Sequence, residues 1–393
     1  MSTQNSRKRT LLEGTIHQTH DSEPSVNLPQ AMITEILLRL PVKSLLKFRC
    51  VSKSWLSLIS SPRFIKTHFE ISTDNNIYYH NKLIFNSDSA FHILHTCSFY
   101  PEIDENPIMD TVPIYNPLSN PQRLVRIVGS CNGLICVVLE PGIVTIFNPT
   151  TRKSRKLPIS GTSNSHAKEY GFGYDESNDD YKVVEFSWTT LIISAEFENE
   201  VKVYSSKTNS WRTINGPAGF VVSDCSVFVN RAIHWKLYPN GNPMDWSIIA
   251  FNVTTDRYKM VAKPKYETGL VNSLLVVSAG QLCVSCLYFT HEDIWEMKEY
   301  EVEESWTKLV KVPTSLELKM HINTRSFFVS ENGDVLLKNG FSIVLYKPLQ
   351  FHEIHPLNKC IEIDAKGYIF YVATYTESLV FPDFGWELAS KSC

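Results

Sequence analysis

Residues 28–69 read LPQAMITEILLRLPVKSLLKFRCVSKSWLSLISSPRFIKTHF, a stretch with more apolar side chains than a module of this size can bury. Leu28-Pro29 predicts the start of a helix, because proline lacks the N–H that would go unpaired there. Apolar residues then recur at helical spacing, at Ile33, Ile36, Leu37 and Leu40. Pro41 ends this helix, because proline cannot continue the ladder of hydrogen bonds.

Two shorter segments of the same character follow. One runs from about Val42 to Arg49, and the other from about Ser52 to Ile59, where Pro62 is expected to end it. Each predicted helix is shorter than the roughly 12–15 residues at which isolated helices become marginal in water. The helices therefore need one another, and the surplus apolar surface predicts a partner chain.

This stretch resembles an F-box. The resemblance is carried by Leu28-Pro29, by the run ILLRLPVKSL at 36–45 and by RCVSKSW at 49–55. It implies a surface for the Skp adaptor of Skp-cullin-F-box (SCF) ubiquitin ligases, with contacts or supports from Leu28, Pro29, Ile36, Leu40, Pro41, Val42, Leu45 and Trp55. The alternative is an ordinary core role, which we favour for Ile33, Leu37, Leu46, Phe48, Leu58 and Ile59. The interface is favoured for Leu28, Pro29 and Pro41, because a self-contained bundle gains little from residues at helix ends.

Charge and hydropathy argue against two classes of partner. The 38 Lys and Arg residues nearly balance the 41 Asp and Glu residues, so no strong field attracts nucleic acid or an anionic membrane. No apolar run approaches the roughly 18–20 residues of a membrane span. The cluster Arg7-Lys8-Arg9 lies in a polar segment, 1–25, that we interpret as a disordered tail, with a nuclear signal as the alternative.

After the helical stretch, the periodicity becomes that of strands. Short runs rich in Val, Ile, Phe and Tyr predict an antiparallel β region, at 134–139, 143–147, 181–186, 201–204, 248–251, 282–289 and 343–346. Asn-Gly pairs supply the positive φ angles that tight hairpin turns require, and they begin at Asn132, Asn215, Asn240, Asn332 and Asn339.

The β region also repeats. A strand that ends in an aromatic residue, followed by a polar turn and a second strand, recurs at Phe147, Tyr204, Phe251, Tyr300 and Tyr346, in steps of 57, 47, 49 and 46 residues. A period near 50 residues is typical of propeller blades, each a four-stranded sheet. A second aromatic residue follows in three units, at Trp211, Tyr258 and Trp306. We interpret these aromatic side chains as packing between sheets.

The residues from about Val128 to Pro382 resemble the F-box-associated interaction domain of the plant F-box and F-box/kelch-repeat proteins. The resemblance is carried by 129–134 (GSCNGL), 147–152 (FNPTTR), 170–175 (YGFGYD), 180–184 (DYKVV), 203–212, 295–300 (WEMKEY), 305–306 (SW) and 377–380 (ESLV). The Gly-Gly pairs of true kelch blades do not occur in the sequence. The resemblance implies a β-propeller-like domain of about six blades.

The predicted fold is mainly β with a small α-helical N-terminal module. The chain is divided into a tail (1–25), the F-box (26–70), a connecting segment with the first strands (71–127), the β domain (128–385) and a second tail (386–393). At 393 residues the chain is long enough for this organisation.

Motifs of enzymes are incomplete in this sequence. Gly171-Phe172-Gly173 has Glu176 where a dinucleotide-binding loop needs its third glycine, and we interpret it as a turn between strands. In residues 129–133, Ser130 stands one place too early for the Gly-x-Ser-x-Gly motif of a serine hydrolase, which indicates a hairpin turn. We therefore expect no catalytic residue.

Cysteine and histidine patterns are equally incomplete. The pair Cys283 and Cys286 lacks the second pair of ligands that zinc requires, and its side chains are expected on opposite faces of a strand. His291-Glu292, His352 and His355 also lack partners at metal-binding spacing. The nine cysteines, irregularly spaced, predict reduced thiols and a protein of the cytoplasm or nucleus. We expect no metal and no cofactor.

The favoured function is that of a non-catalytic substrate-recognition subunit of an SCF ubiquitin ligase. The resemblance implies that the F-box binds the Skp adaptor and through it cullin, while the β domain holds a target protein for ubiquitination. Segments that depart from the repeat, 159–169, 187–200, 238–246 and 290–294, are candidate target-binding loops, with Trp188, Tyr238 and Trp246 as anchors. The alternatives are a propeller that binds a carbohydrate or another small molecule, and an enzyme of the propeller class.

Overall fold

In a computed structural model of the chain, the described residues are 28–74, 81–87, 94–98, 112–114, 125–139, 142–161, 167–190, 197–217, 220–239, 241–242, 245–313, 325–330, 333–339, 342–347, 361–364 and 368–382. The predicted tails 1–25 and 386–393 lie outside the described residues, as do Arg7-Lys8-Arg9, His352 and His355.

The helical module, residues 28–74, contains helices α1 Gln30–Leu38, α2 Val42–Phe48, α3 Lys53–Ile59 and α4 Pro62–Asp74. The sequence analysis expected Pro62 to end the third helix. Instead α3 ends at Ile59, and Pro62 is the first residue of α4, a position that suits a residue without an N–H. Serine side chains mark both starts, since Ser52 Oγ accepts the Trp55 N–H at 3.2 Å and Ser61 Oγ accepts the Phe64 N–H at 3.3 Å.

All four helices contribute to one small core. Its buried side chains are Leu37, Leu38, Val42, Leu45, Ile59 and Phe64, joined by Leu379 from the far end of the chain. His68 of α4 reaches back to the connection between α1 and α2, where its Nε2 lies 2.9 Å from the Leu40 carbonyl oxygen. The long-range contact to Leu379 shows that the module is not self-contained.

The β domain consists of antiparallel sheets. The first contains β1 Asn81–Ser87, β2 Leu94–Ser98 and β3 Val112–Ile114. The second contains β4 Val125–Cys131, β5 Leu134–Leu139, β6 Ile143–Asn148 and β7 Lys153–Lys156, and the third β8 Ala167–Asp175, β9 Asp180–Thr190, β10 Phe197–Ser205 and β11 Ser210–Ile214. The fourth contains β12 Phe220–Val229, β13 Ala232–Pro239, β14 Ser247–Asn252 and β15 Arg257–Val261.

An eight-stranded sheet follows. Its strands are β16 Asn272–Ser278, β17 Gln281–Leu287, β18 His291–Met297, β19 Trp306–Pro313, β20 Arg325–Val329, β21 Val335–Asn339, β22 Ser342–Tyr346 and β23 Ile361–Asp364. A short 3-10 helix, Glu303–Ser305, precedes β19. Within this sheet, β16–β19 and β20–β23 each form an antiparallel meander, and one parallel pair, Ser278 with Val329, joins the two.

The last strand closes the ring of sheets. Strand β24, Ile369–Thr376, pairs antiparallel with β1, so the first sheet is built from both ends of the β domain. The predicted domain start at Val128 falls inside β4, and strands of the predicted connecting segment belong to the closing sheet. The β domain, as folded, therefore includes residues well before 128.

Strands β4, β8, β12, β16, β20 and β24 surround a central cavity of about 520 Å³. Gly171-Phe172-Gly173, predicted as a turn, lies inside β8 and contributes Phe172 to the cavity wall. The predicted hairpin at 129–133 is confirmed at its tip, where Asn132 and Gly133 have φ angles of 51° and 77°. Gly216, by contrast, lies in a connection between two sheets and does not have a positive φ angle.

The repeated aromatic residues occupy equivalent places in most sheets. Phe147, Tyr204, Phe251 and Tyr346 lie on the third strand of a four-stranded meander, as the spacing predicts. Tyr300 does not, because it follows β18 in a longer turn, and Met297 takes the position opposite Trp306. The outgoing tryptophans join neighbouring sheets, since Trp211 Nε1 donates to the Pro158 carbonyl at 2.7 Å and Trp306 Nε1 to the Ala262 carbonyl at 2.9 Å.

Candidate functional site: two surfaces at opposite ends of the molecule

Helix α1 has an apolar face on each side. Ile33, Leu37 and Leu40 face the core of the helical module. The opposite side carries Leu28, Met32 and Ile36, which we define as the outer face of α1. Their exposed fractions are 49%, 53% and 50%. Met32 and Ile36 are four residues apart and lie on one side of the helix, and Leu28 precedes its first turn. Large apolar side chains grouped on a surface are typical of a site for another protein.

The structure divides the predicted adaptor-binding residues into three groups by their exposure. Leu28, Pro29, Ile36 and Pro41 are exposed, and Leu40 and Trp55 are half-buried against the module core. Val42 and Leu45 are fully buried, so they support the helices and offer no area to a partner. The sequence analysis also placed Ile36 on the same stripe as Leu37, whereas the structure turns Ile36 outward.

The sequence analysis did not identify two exposed apolar residues of the helical module, Met32 and Val51. Met32 lies between Leu28 and Ile36 at four-residue spacing, and this spacing was the available signal. Val51, in the connection between α2 and α3, is also exposed. The residues predicted to form the module core do so. Leu37 and Ile59 are buried, and the partly buried members are Ile33, Leu46, Phe48 and Leu58.

The β domain has two distinct ends. Because strands in each meander alternate in direction, turns from first to second and from third to fourth strands lie at one end, the hairpin end. Residues 132–133, 149–152 and 176–179 are turns of this kind. Connections between second and third strands, and between sheets, lie at the other end, the loop end. Helix α4 leads into the start of β1, which pairs with the end of β24, so the helical module adjoins the hairpin end.

All four candidate target-binding segments belong to the loop end. Residues 159–169 and 187–200 include the connections from β7 to β8 and from β9 to β10, and 238–246 and 290–294 include those from β13 to β14 and from β17 to β18. Only parts of 159–169, 187–200 and 238–246 are described. The structure therefore brings the described parts of the four segments to one end of the β domain, opposite to the helical module.

The three predicted anchors differ in what they expose. Trp188 on β9 and Tyr238 on β13 are partly buried side chains packed against core clusters. Trp246 is only 2% exposed, which removes it as an anchor in this conformation. Its ring stacks on Tyr266 at 5.8 Å, with Lys263 Nζ 5.1 Å from its centre, because the connection after β15 folds over it.

Among the described residues of the loop end, the most exposed large apolar side chains are Ile159 and Phe289, at 79% and 77%. Phe289 follows β17, which ends at Leu287 rather than at the predicted residue 289. Ile159 is held from both sides, since the Pro158 carbonyl accepts Trp211 Nε1 and Ser160 Oγ donates to buried Glu185 at 2.6 Å. A backbone that is held in place in this way loses little conformational entropy when the segment binds a partner.

Charged groups stiffen the same end. Glu185 also accepts Lys168 Nζ at 2.8 Å. Lys308 Nζ donates to the fully buried Asp293 at 2.6 Å, and this hydrogen bond raises the pKa of Lys308. Lys236, nearly buried, donates to the Ser273 carbonyl at 2.7 Å. These contacts bind charged side chains to the scaffold and restrict their movement.

The surroundings of Cys283 and Cys286 do not favour a reactive thiol. Cys283 and Cys286 lie in different core clusters, on opposite faces of β17, as the sequence predicts. Burial raises the pKa of each thiol to about 12, which disfavours the thiolate needed for nucleophilic attack. Within the described part of the chain, no group of three or more candidate ligands could hold a metal ion. No helix that the structure describes is long and apolar enough to cross a membrane.

Comparison with known proteins agrees with this two-part architecture. A family model described as "F-box domain" matches residues 26–67, and one described as "F-box associated beta propeller domain" matches residues 91–381. The F-box/kelch-repeat protein At3g23880 of Arabidopsis thaliana is 30% identical over 364 residues, covering 87% of this chain and 94% of its own. F-box protein CPR1 of the same plant is 27% identical over 337 residues, covering 79% of each chain. The chain therefore belongs to the F-box proteins that carry an F-box-associated β-propeller domain.

Proposed function

We propose that this chain is the substrate-recognition subunit of an SCF ubiquitin ligase. The observation that carries the proposal is the outer face of α1, where Leu28, Met32 and Ile36 remain about half exposed although the helix has a complete core face on its other side. The Skp adaptor, and through it cullin, is the partner proposed for this face. The chain itself performs no bond chemistry in this role and uses neither metal nor cofactor.

The target protein is proposed to bind at the loop end. Among its described residues, Ile159 and Phe289 are exposed apolar side chains, and Trp188 and Tyr238 are half-buried side chains that a partner can reach. Adaptor and target then bind at opposite ends of one scaffold. A stiff connection raises the effective concentration of target lysines near the ubiquitin donor, because it restricts the volume that the target explores. The complex is proposed to act in the cytoplasm or the nucleus.

We further propose that the β domain has six blades. The eight-stranded sheet divides into two meanders of four strands joined by one parallel pair, and parallel pairing between first strands is compatible with adjacent blades around a ring. With the four four-stranded sheets, this division yields six first strands, and these same strands line the central cavity. A crystal structure in which β16 and β20 are the inner strands of two separate four-stranded sheets would support this count, and a continuous ladder of hydrogen bonds between β16 and β20 would contradict it.

The alternative function is a propeller that binds a small molecule. The central cavity of about 520 Å³ favours it, since ligand pockets commonly enclose about 300–1,000 Å³. Phe172, Phe228 and Phe328 are among the cavity residues, and they suit an apolar ligand better than a carbohydrate with many hydroxyl groups. This alternative leaves the outer face of α1 without a role, and we therefore prefer the receptor function.

Two matched substitutions test the adaptor-binding proposal. Each replaces an exposed isoleucine with a charged aspartate. Ile36→Asp does so on the outer face of α1, and Ile159→Asp does so at the loop end. We expect Ile36→Asp to weaken binding of the purified Skp adaptor by at least about tenfold, equivalent to about 1.4 kcal/mol. Ile159→Asp should leave this affinity unchanged.

Isothermal titration calorimetry with the full chain measures both affinities, and thermal unfolding confirms that each variant is folded. Equal affinity of Ile36→Asp and the unsubstituted chain would rule out the outer face of α1 as the adaptor site. A chain that binds no Skp adaptor at all would overturn the receptor function.

A further inference from the structure

We propose that residues 377–381, which follow β24, form a C-terminal clamp that locks the helical module onto the hairpin end of the β domain. The sequence of the clamp is ESLVF, and its first four residues are among those that carry the family resemblance. The clamp would set the direction in which the loop end points relative to the outer face of α1. Only this last consequence rests on the proposed function.

Alternate residues of the clamp face the helical module. Leu379 is 1% exposed and belongs to the module core, beside side chains from all four helices. Glu377 lies 3.9 Å from Lys43 Nζ of α2, and the Phe381 ring lies 5.2 Å from the guanidinium carbon of Arg49. The clamp thus contributes one apolar side chain to the module core and one polar or aromatic contact on each side of it.

The intervening residues face the β domain. Ser378 Oγ donates to the Asn132 carbonyl in the turn between β4 and β5 at 2.9 Å. Asn148, at the end of β6, donates through Nδ2 to the carbonyls of Ser378 and Val380 at 3.0 and 2.8 Å. Val380 packs against the core shared by the second and third sheets. This alternation is what an extended backbone produces, since successive side chains point to opposite sides.

The fit of the clamp against the β4–β5 turn is close. A Cβ added at Gly133 would collide with Ser378 and would lie 2.5 Å from the Thr376 carbonyl oxygen. Gly133 also has a φ angle of 77°, which favours glycine. The turn therefore presents bare backbone to the clamp, and little room remains for the clamp to shift.

The helical module is attached to the β domain at two points, and not by one linker alone. The chain passes once from the module to the β domain, between the end of α4 at Asp74 and the start of β1 at Asn81. A single covalent connection permits rotation about it, whereas a second attachment point restricts that rotation. The clamp supplies the second point from the opposite end of the sequence.

A matched pair of substitutions tests the clamp in the full chain. Asn148 and Asn252 occupy the same kind of turn, in which the side-chain oxygen accepts two backbone N–H groups, from Thr150 and Thr151 or from Thr254 and Thr255. Only Asn148 also binds residues 378 and 380 among the hydrogen bonds of the described residues. Asn148→Ala should therefore release the clamp, and Asn252→Ala should not.

The readout is amide hydrogen exchange of α1 and α2, which neither substitution touches directly. We expect Asn148→Ala to accelerate exchange in residues 30–48 by about tenfold or more, because release of Leu379 removes part of the core of these helices. Asn252→Ala should leave these rates unchanged. Equal rates in both variants would overturn the clamp.

Skp adaptor affinity separates this outcome from the proposed function. If the unsubstituted chain binds no adaptor while Asn148→Ala still loosens the helices, the receptor function fails and the clamp remains. If the unsubstituted chain binds the adaptor and both variants exchange alike, the clamp fails and the receptor function remains.

Discussion

Individual buried polar residues show how neighbouring sheets of this protein are joined. His234 on β13 is fully buried, and its Nε2 lies 2.7 Å from the Tyr300 hydroxyl oxygen in the turn after β18. This contact bridges two sheets at the hairpin end. Tyr300 does not occupy the repeat position of the other aromatic residues. Its hydroxyl group is instead the hydrogen-bond partner of a buried histidine on the preceding sheet.

The His234 contact predicts a pH-dependent stability. Burial lowers the pKa of His234 to about 4, although the nearby Glu301 carboxylate acts in the opposite direction. Between the ordinary histidine pKa of about 6.5 and this folded value, the unfolded chain takes up a proton that the folded chain refuses. The stability contributed by neutral His234 is therefore full above about pH 6.5, and it is lost as the pH falls toward 4.

We expect His234 to account for about 2 kcal/mol of the stability lost between pH 7 and pH 5. Urea unfolding of the unsubstituted chain and of His234→Gln at both pH values measures this difference, and the variant should lose less. An identical pH dependence in the two proteins would mean that His234 is charged, or solvated, in the folded state.

At the scale of single elements, glycine in β8 permits an unusually close approach of two sheets. Gly171 faces β13, where an added Cβ would collide with Trp235 and would lie 2.5 Å from Ile233 Cγ2. Gly173 similarly faces Phe228 of β12. The sequence analysis interpreted this Gly-x-Gly as a turn, because glycine is common in turns. The structure instead uses both glycines for packing inside a strand, and sequence periodicity does not reveal a neighbour that is distant along the chain.

This packing predicts different outcomes for two glycine substitutions. Gly171→Ala should lower the free energy of unfolding by about 1–3 kcal/mol, because the added methyl group forces the Trp235 and Ile233 side chains aside. Gly129→Ala, on the inner strand β4, should change it by less than about 0.5 kcal/mol, since a Cβ there meets nothing within 4 Å.

Thermal and urea unfolding of both full-length variants measure these effects. A Gly171→Ala protein as stable as Gly129→Ala would show that β8 and β13 can separate without cost. In that case the close approach at Gly171 would not contribute to holding the third and fourth sheets together.

At the scale of the whole molecule, segments that are far apart in the sequence complete the fold together. β24 closes the first sheet against β1, and residues 377–381 continue into the helical module. The N-terminal module, the first strands and the last strand thus meet in one region. The surfaces proposed for the adaptor and for the target protein lie at opposite ends of this closed body.

Ring closure predicts which fragments fold. Residues 75–393 contain every strand of the closing sheet, and we expect this fragment to unfold in one cooperative transition. Residues 128–385, the β domain as divided from the sequence, lack β1 and the start of β4. That fragment should not unfold cooperatively, because β24 has no partner and the buried side chains of Leu83, Phe85, Val125 and Ile127 are missing.

Circular dichroism and urea titration distinguish the two fragments. A cooperative transition of residues 128–385 would show that the ring holds without its closing sheet. The family match, which begins at residue 91, also starts before the predicted boundary.

The sequence by itself determined the kinds of elements and the family. Helical spacing and prolines near residues 28–62 located three of the four helices, and alternating apolar residues with a period near 50 located the repeated strands. These signals are local, because helix and strand periodicity depend on neighbours a few residues away. The resemblance to F-box and F-box-associated domains came from equally local motifs.

Only the tertiary structure decided which of these residues face outward and which distant segments meet. It turned Ile36 toward solvent, buried Trp246, exposed Ile159 and Phe289, and inserted Leu379 among the N-terminal helices. The physical reason is that burial depends on contacts between segments far apart in the chain. A single sequence states the apolar character of each side chain, but not which other segment will cover it.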